Sequence, residues 1–447
     1  MSYLERKTGR GSQINSLPNY TAAGSYCFFS QCIELNDLDE KDLLAFTDNS
    51  KSIDENHRAI LKFGPLLNHE VKHWYDAHST LWGLRFLSDI YHCRNDLHEA
   101  EQSGIATELP HFYRQLEIFD RVQYIKFPQY YSTANPNANT SAPWKYRYSA
   151  GIMFSKYGKP TDRNLFFTRF ENNKGELIAR VPFSLCALLE SSAVAQEINA
   201  KSRIISMIED PISSKIEKDK LLKDTMADLY DENLVEYSVV AHKISNSFSI
   251  SDAIEAYNIA AKLTRLILNL PSDVITSLKP KEMLNENFEP FYTPYENALK
   301  YIDYGAIFSL LVDSLYSEFQ IKGIKVTSSN LESLLAEIFE KNLNLTLAEL
   351  FDRSKKEIKK ICSSVNFNLD KDHVDALLEV GVKLHSDLGL IGSHFINLDE
   401  NLIPDFVLGD GFFVSQKGGS QENFEKRYFE LTGYLAYLSN FSKACIV

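Results

Sequence analysis

The run His69-Glu70-Val71-Lys72-His73 limits what this chain can fold into more than any other stretch. Its chemistry exists only on an α-helix. Residues four apart on a helix differ by about 40° in direction, so His69 and His73 project from one face. Glu70 lies about 100° round, within reach of a water held at that face. Two neutral imidazoles side by side suit Zn²⁺, and an open coordination position would carry a water. Glu70 would then take the proton of that water as it attacks a polarised amide and return it to the leaving amine.

Local context favours a helix. Gly64-Pro65 is expected to break an earlier helix begun near Asp54-Glu55-Asn56, with Pro65 in the first turn of the next. Leu66, Leu67, Val71, Trp74 and Tyr75 then recur at helical spacing, and a second such stretch runs from Leu81 to Tyr91. Asp76 and Thr80 share the face of His69 and His73. Asp76 would either orient a ligand histidine through its ring N–H or make an ordinary polar contact. A trio of His69, His73 and Asp76 as ligands is a further option. His78 points about 180° away from His69. His57, His92 and His98 read as surface or hydrogen-bonded residues.

The other segments differ in period. Residues 1–53 are mixed, and 128–145 read as loop. From 146 to 183 three stretches rich in aromatic and β-branched residues are bracketed by Gly158-Lys159-Pro160 and Asn172-Asn173-Lys174-Gly175. They predict a small antiparallel sheet. Pro182 closes it and Ser184 caps a helix expected over 185–208. Beyond 210 the pattern is helical nearly to the end, with 270–293 as a proline-bearing linker and 401–421 as a loop. The expected fold is α+β and predominantly helical: an N-terminal unit over 1–208, its core at about 54–208, then an all-α domain over 209–447.

Composition excludes several classes. With 44% hydrophobic and 24% charged residues, wholesale disorder is excluded. The balance of 47 Lys+Arg against 60 Asp+Glu gives −13, a field that opposes nucleic acid. The basic run from Arg353 to Lys360 reads as the wet face of a helix. Six cysteines without a CxxC pair predict neither a zinc ribbon nor a disulfide scaffold, and Cys27 and Cys32 are expected to be unlinked thiols. No apolar run is long enough to cross a membrane, and no leader is evident, so the expected compartment is the cytoplasm. P-loop, GxGxxG and GxSxG motifs are absent.

The HExxH run resembles the motif of zincin metallopeptidases. The metzincin branch needs glycine and a third histidine where Asp76 and Ser79 stand, so the resemblance is to the gluzincin pattern. That pattern implies a glutamate from a later helix as third ligand. Glu190 in Leu188-Leu189-Glu190-Ser191-Ser192-Ala193 is the best match, flanked by small residues that permit close helix approach. Glu197, seven residues on, is expected behind the ligands. Glu99 and Glu101 are rivals in a more polar run. The resemblance also implies a substrate-binding edge strand, sought among 146–181, and an oxyanion-stabilising side chain, sought at Tyr146, Arg147 or Tyr148.

The reading is a zinc peptidase acting on a protein or peptide, with the C-terminal helices gating the site or recognising a partner. A regulated effector in stress or phage defence is one role that such a fusion fits. A non-catalytic helical interaction module with a structural or degenerate metal site is the alternative. A zinc regulator that cleaves a repressor is a third, which the acidic balance disfavours.

Overall fold

A computed structural model describes residues 23–28, 31–103, 113–118, 125, 127, 131–135, 137–155, 158–364, 371–392, 404–415 and 420–444. Structural statements below concern these residues.

The chain opens with a hairpin, β1 (Ser25–Cys27) and β2 (Cys32–Leu35), then α1 (Glu40–Phe46). The long helix α2 (Ile53–Ser79) and α3 (Leu81–Ser103) follow. The first expectation to fail is the break at Gly64-Pro65, because α2 runs straight through Pro65 as one helix. An interior proline costs about 3 kcal/mol. Phe63, Leu67, Val71 and Tyr75 are all buried on α2, each worth about 1.5–3 kcal/mol, so packing outweighs the lost hydrogen bond. Phe63 stacks on Phe46 of α1 with ring centroids 4.7 Å apart. The helix begins in a capping box between Ser52 and Glu55.

The predicted sheet is present. Strands β3 (Thr133–Ala134), β4 (Lys145–Phe154), β5 (Pro160–Glu171) and β6 (Leu177–Pro182) form an antiparallel sheet in the order β3-β6-β5-β4. Ser184 accepts a hydrogen bond from Ala187 N and so caps α4 (Leu185–Ser206). Helices α5 (Pro211–Leu229), α6 (Val235–Phe248) and α7 (Ala253–Leu268) complete a layer around α4.

Residues 270–293 are not a linker. They form α8 (Ser272–Ser277), α9 (Pro280–Met283) and a 3₁₀ turn, and they bury Val274, Ile275, Met283 and Leu284. Next come α10 (Tyr292–Lys300), α11 (Tyr304–Glu318), α12 (Leu331–Leu343), α13 (Leu347–Ser364) and α14 (Lys371–Leu388). In α13, Leu350 and Ile358 are buried while the basic run faces outward.

The fold is predominantly helical α+β, with one departure from an all-α second half. Strands β7 (Phe406–Leu408) and β8 (Phe413–Val414) lie where a loop was expected. β7 pairs in parallel with β2, giving a second sheet in the order β1-β2-β7-β8. Gly409 permits this return: a Cβ there would stand 2.1 Å from the Asn36 carbonyl oxygen. The last helix is α15 (Gln421–Ala444).

Apolar residues on both sides of position 208 share one core, in which Phe166, Ala187 and Leu188 pack with Val239, Leu263 and Leu311. A second core joins α2 and α3 to the β1–β2 hairpin and to β7. α2 lies along α4, and α4 contributes side chains to both cores. Among the described residues no helix is long and apolar enough to cross a membrane.

Candidate metal centre

The site forms where α2 meets α4. Ala193 on α4 is fully buried near the face of Glu190, and its small side chain lets the two helices approach closely, while Ser191 turns toward α6. The approach brings Glu190 beneath both histidines. Glu190 Oε2 lies 3.4 Å from His69 Nε2 and 3.5 Å from His73 Nε2. One donor atom from each residue falls within 4.8 Å of the others. These three residues could hold a metal ion.

The separations carry chemical information. Ligands at about 2.0–2.2 Å from a tetrahedral ion stand about 3.3–3.5 Å from one another. A strong imidazolium–carboxylate hydrogen bond would be shorter, at about 2.7–2.9 Å. Glu190 Oε2 is buried and makes no hydrogen bond of good geometry. A buried carboxylate oxygen left so is costly, and a cation relieves that cost.

His69 has a further partner. Its Nδ1 lies 3.2 Å from Glu197 Oε2, one turn pair along α4 from Glu190. An Nδ1–H donating to a carboxylate fixes the tautomer that leaves Nε2 free to ligate. Lys201 donates to the other Glu197 oxygen at 2.6 Å. Glu197, expected behind the ligands, lies beside the His69 ring.

Asp76 is different. It is fully buried on α2 and paired with Lys72, one turn back, rather than with a ligand histidine. His73 Nδ1 is buried and has no hydrogen-bond partner. The trio of His69, His73 and Asp76 is not the cluster that forms. Thr80 caps α3, accepting from Gly83 N at 3.0 Å. His78 stacks on Trp74 and uses Nδ1 on the Trp74 carbonyl. His57 and His92 are likewise held by backbone carbonyls. Of the rival ligands, Glu99 is exposed on α3, and the side chain of Glu101 lies outside the described set.

Charge and burial oppose one another here. Burial raises the Glu190 carboxyl, but His73 and His69 overcome it and hold the group at about 2. Burial also raises Glu197, and His69 with Lys201 brings it to about 2. Burial depresses His69, yet Glu190 and Glu197 leave it well above the ordinary histidine value. Glu70 is pushed up to about 7, chiefly by burial, against the pull of both histidines.

Glu70 is 4% exposed and faces a cleft of about 580 Å³ that also reaches His69 and Glu197. The backbone at Gly24, just before β1, closes on it: a Cβ at Gly24 would stand 2.7 Å from Glu70 Oε1. Tyr237 of α6 lines the same cleft, its ring centroid 6.5 Å from that of His69. Neither residue was singled out from the sequence.

The strands expected to border the site do not. No described residue of 146–181 lines the cleft, which instead reaches Ala23-Gly24 at the entry to β1. Tyr148 instead hydrogen-bonds Tyr295 at 3.0 Å, and Arg147 pairs with Glu171 at 3.0 Å. Cys27 and Cys32 face one another across β1 and β2 and form no disulfide.

No protein-family model, curated protein or solved structure matches this chain, so the site has to be read from its own geometry.

Proposed function

We propose that this chain is a zinc-dependent peptidase of the gluzincin type. The observation that supports it is the meeting of three donors, His69 Nε2, His73 Nε2 and Glu190 Oε2, beside the Glu70 carboxylate at the edge of an open cleft. A His₂Glu set suits Zn²⁺, which when bound lowers the pKa of a water and polarises a carbonyl oxygen.

The residues of the chain have separable tasks. His69, His73 and Glu190 hold the ion, and Glu197 orients the His69 ring. Glu70 accepts a proton from water as its oxygen bonds to the amide carbon. Glu70 then passes that proton to the amide nitrogen as the C–N bond breaks, leaving a carboxylate and an amine. Tyr237, whose ring lies beside His69 in the cleft, donates to the developing oxyanion. The low exposure of Glu70 keeps its carboxylate out of bulk water.

A second reading keeps the metal and drops the reaction. His73 and Glu190 are 1% and 2% exposed, as closed as a structural site. One experiment separates the two. Bound zinc is measured in the purified chain, in His69→Ala and in Glu70→Gln, beside cleavage of a degenerate peptide mixture. A peptidase binds one zinc, loses it in His69→Ala, keeps it in Glu70→Gln, and loses cleavage in both. Zinc bound without cleavage by the unsubstituted chain favours the structural reading, and no zinc at all ends both.

A further inference from the structure

The cleft beside the metal centre has one wall that the proposed chemistry does not use. It is formed by α5, whose Glu217, Leu221, Asp224 and Asp228 all line the cleft. Their spacing of four, three and four residues places them within a narrow arc of the helix. The opposite arc carries Ile212, Ile216, Leu222 and Met226, which are 71%, 58%, 44% and 41% exposed. An ordinary surface helix turns its apolar stripe inward and its charges to solvent. α5 buries Leu221, Thr225 and Leu229, sets the exposed Asp224 and Asp228 along the cleft beside that stripe, and leaves the aliphatic side chains of its opposite arc in water.

These carboxylates are short of counter-charge. In the rest of the cleft, Glu197 is held by His69 and Lys201. Glu217 has a histidine, His57 Nε2, at 4.0 Å. Lys220 is the one cation that α5 itself adds to the lining. The exposed carboxylates of Asp224 and Asp228 form no hydrogen bond or ion pair among the described residues, and they sit at i and i+4, where like charges repel. Burial, with Glu197, Asp224 and Asp231 nearby, raises the Asp228 carboxyl above its ordinary value against the pull of Lys201.

A residue on another helix also opens onto this space. Glu70 lines the same cleft, is 4% exposed, and its carboxylate has no hydrogen bond or ion pair among the described residues. A cleft of about 580 Å³ has room for several residues of an extended peptide beside it.

We propose that the α5 wall is a specificity subsite for a cationic side chain, lysine or arginine, in the peptide that lies against the metal centre. The cation enters between Asp224 and Asp228, relieves their mutual repulsion, and fixes the register of the peptide over Glu70. This rests on the peptidase reading for its consequence, cleavage near a basic residue. The charge selection itself is separable from that reading.

The test uses three degenerate nonapeptide pools that differ only in a fixed central residue: lysine, norleucine or glutamate. Each pool is passed over the immobilised, zinc-loaded full chain carrying Glu70→Gln, and retained peptide is quantified by mass spectrometry. The lysine pool should be retained about fivefold over the norleucine pool, the effect of one cation set between two solvent-facing carboxylates. The glutamate pool should be retained least. In Glu70→Gln with Asp224→Asn and Asp228→Asn added, lysine and norleucine pools should become equal. Zinc content and thermal midpoint show whether that variant is folded. Equal retention by the starting protein overturns the subsite, and so does a lysine preference that survives both asparagines. Cleavage of the same pools by the unsubstituted chain is scored separately. A lysine preference in retention without cleavage keeps the subsite and removes the peptidase; cleavage with equal retention does the reverse.

Discussion

Glu197 Oε2 lies 3.2 Å from His69 Nδ1, although the two residues are 128 positions apart. The His69 ring is therefore held at both nitrogens by carboxylates of one helix, Glu197 at Nδ1 and Glu190 near Nε2. Loss of such a support typically weakens metal binding about 10- to 100-fold. Glu197→Ala should show that loss in competition with a chelator, while Glu190→Ala should lose the ion altogether. Glu99→Ala, at an exposed position of α3, should leave affinity unchanged. An unchanged affinity in Glu197→Ala would mean that the 3.2 Å contact does not support the ligand.

Gly24 tests how closely Glu70 must be confined. A Cβ at this position would come within 2.7 Å of Glu70 Oε1 and 2.9 Å of Glu70 Cγ. The carboxylate has to move, because the backbone at 24 leads directly into β1 and its pairing with β2. Overpacking of this kind costs about 1–3 kcal/mol. Gly24→Ala should therefore keep its zinc and lose about 10²-fold or more in peptide cleavage, as expected for a displaced proton acceptor. Zinc content and cleavage measured on one preparation settle it; full cleavage with full zinc contradicts the confinement.

What the sequence shows of this molecule depends on how local each signal is. His69, Glu70 and His73 are legible because helical geometry alone fixes their relation. Glu190 is legible at one remove, since a capped helix of small residues directly after a strand marks a close helix contact. Pro65 misleads because a local penalty is outweighed by the burial of Phe63 and Leu67, which only the tertiary fold reveals. β7 and β8 are three and two residues long, too short to show an alternation, and β7 finds its partner at β2 across most of the chain. Tyr237 has no motif around it. It belongs to the cleft because α6 packs on α4, where Ser191 Oγ donates to the Tyr237 carbonyl at 2.9 Å.

Tyr237 offers a test of the reaction that leaves the ligands alone. Its phenol is pushed well above the ordinary tyrosine value, mainly by burial and further by Glu190. It stays protonated and can only donate or accept a hydrogen bond. Tyr237→Phe removes the hydroxyl and keeps the ring beside His69. If the hydroxyl stabilises the oxyanion, cleavage should fall about 10²- to 10³-fold in kcat, with zinc content unchanged. A change confined to KM would instead assign Tyr237 to substrate binding.

The helix that carries Tyr237 also carries an acid-sensitive group. His242 is 4% exposed, stacked on Trp144, and its Nε2–H donates to the Leu229 carbonyl at 2.8 Å. Burial pushes its pKa down to about 4, more than the Leu229 hydrogen bond raises it. In the unfolded chain an ordinary histidine titrates near 6.5. Between those values the unfolded chain binds a proton that the folded chain refuses, so stability is complete above about 6.5 and declines as pH falls toward 4. From pH 7 to pH 5 this one residue should cost about 2 kcal/mol. His242→Gln keeps a donor for Leu229 but has no such titration. Its denaturant unfolding should be weaker than the parent's at pH 7, through the lost stacking on Trp144, and should fall off less steeply toward pH 5. Parallel stability curves for the two proteins would show that His242 is not held neutral by burial. They would then place the acid sensitivity of the α4–α6 layer on other groups.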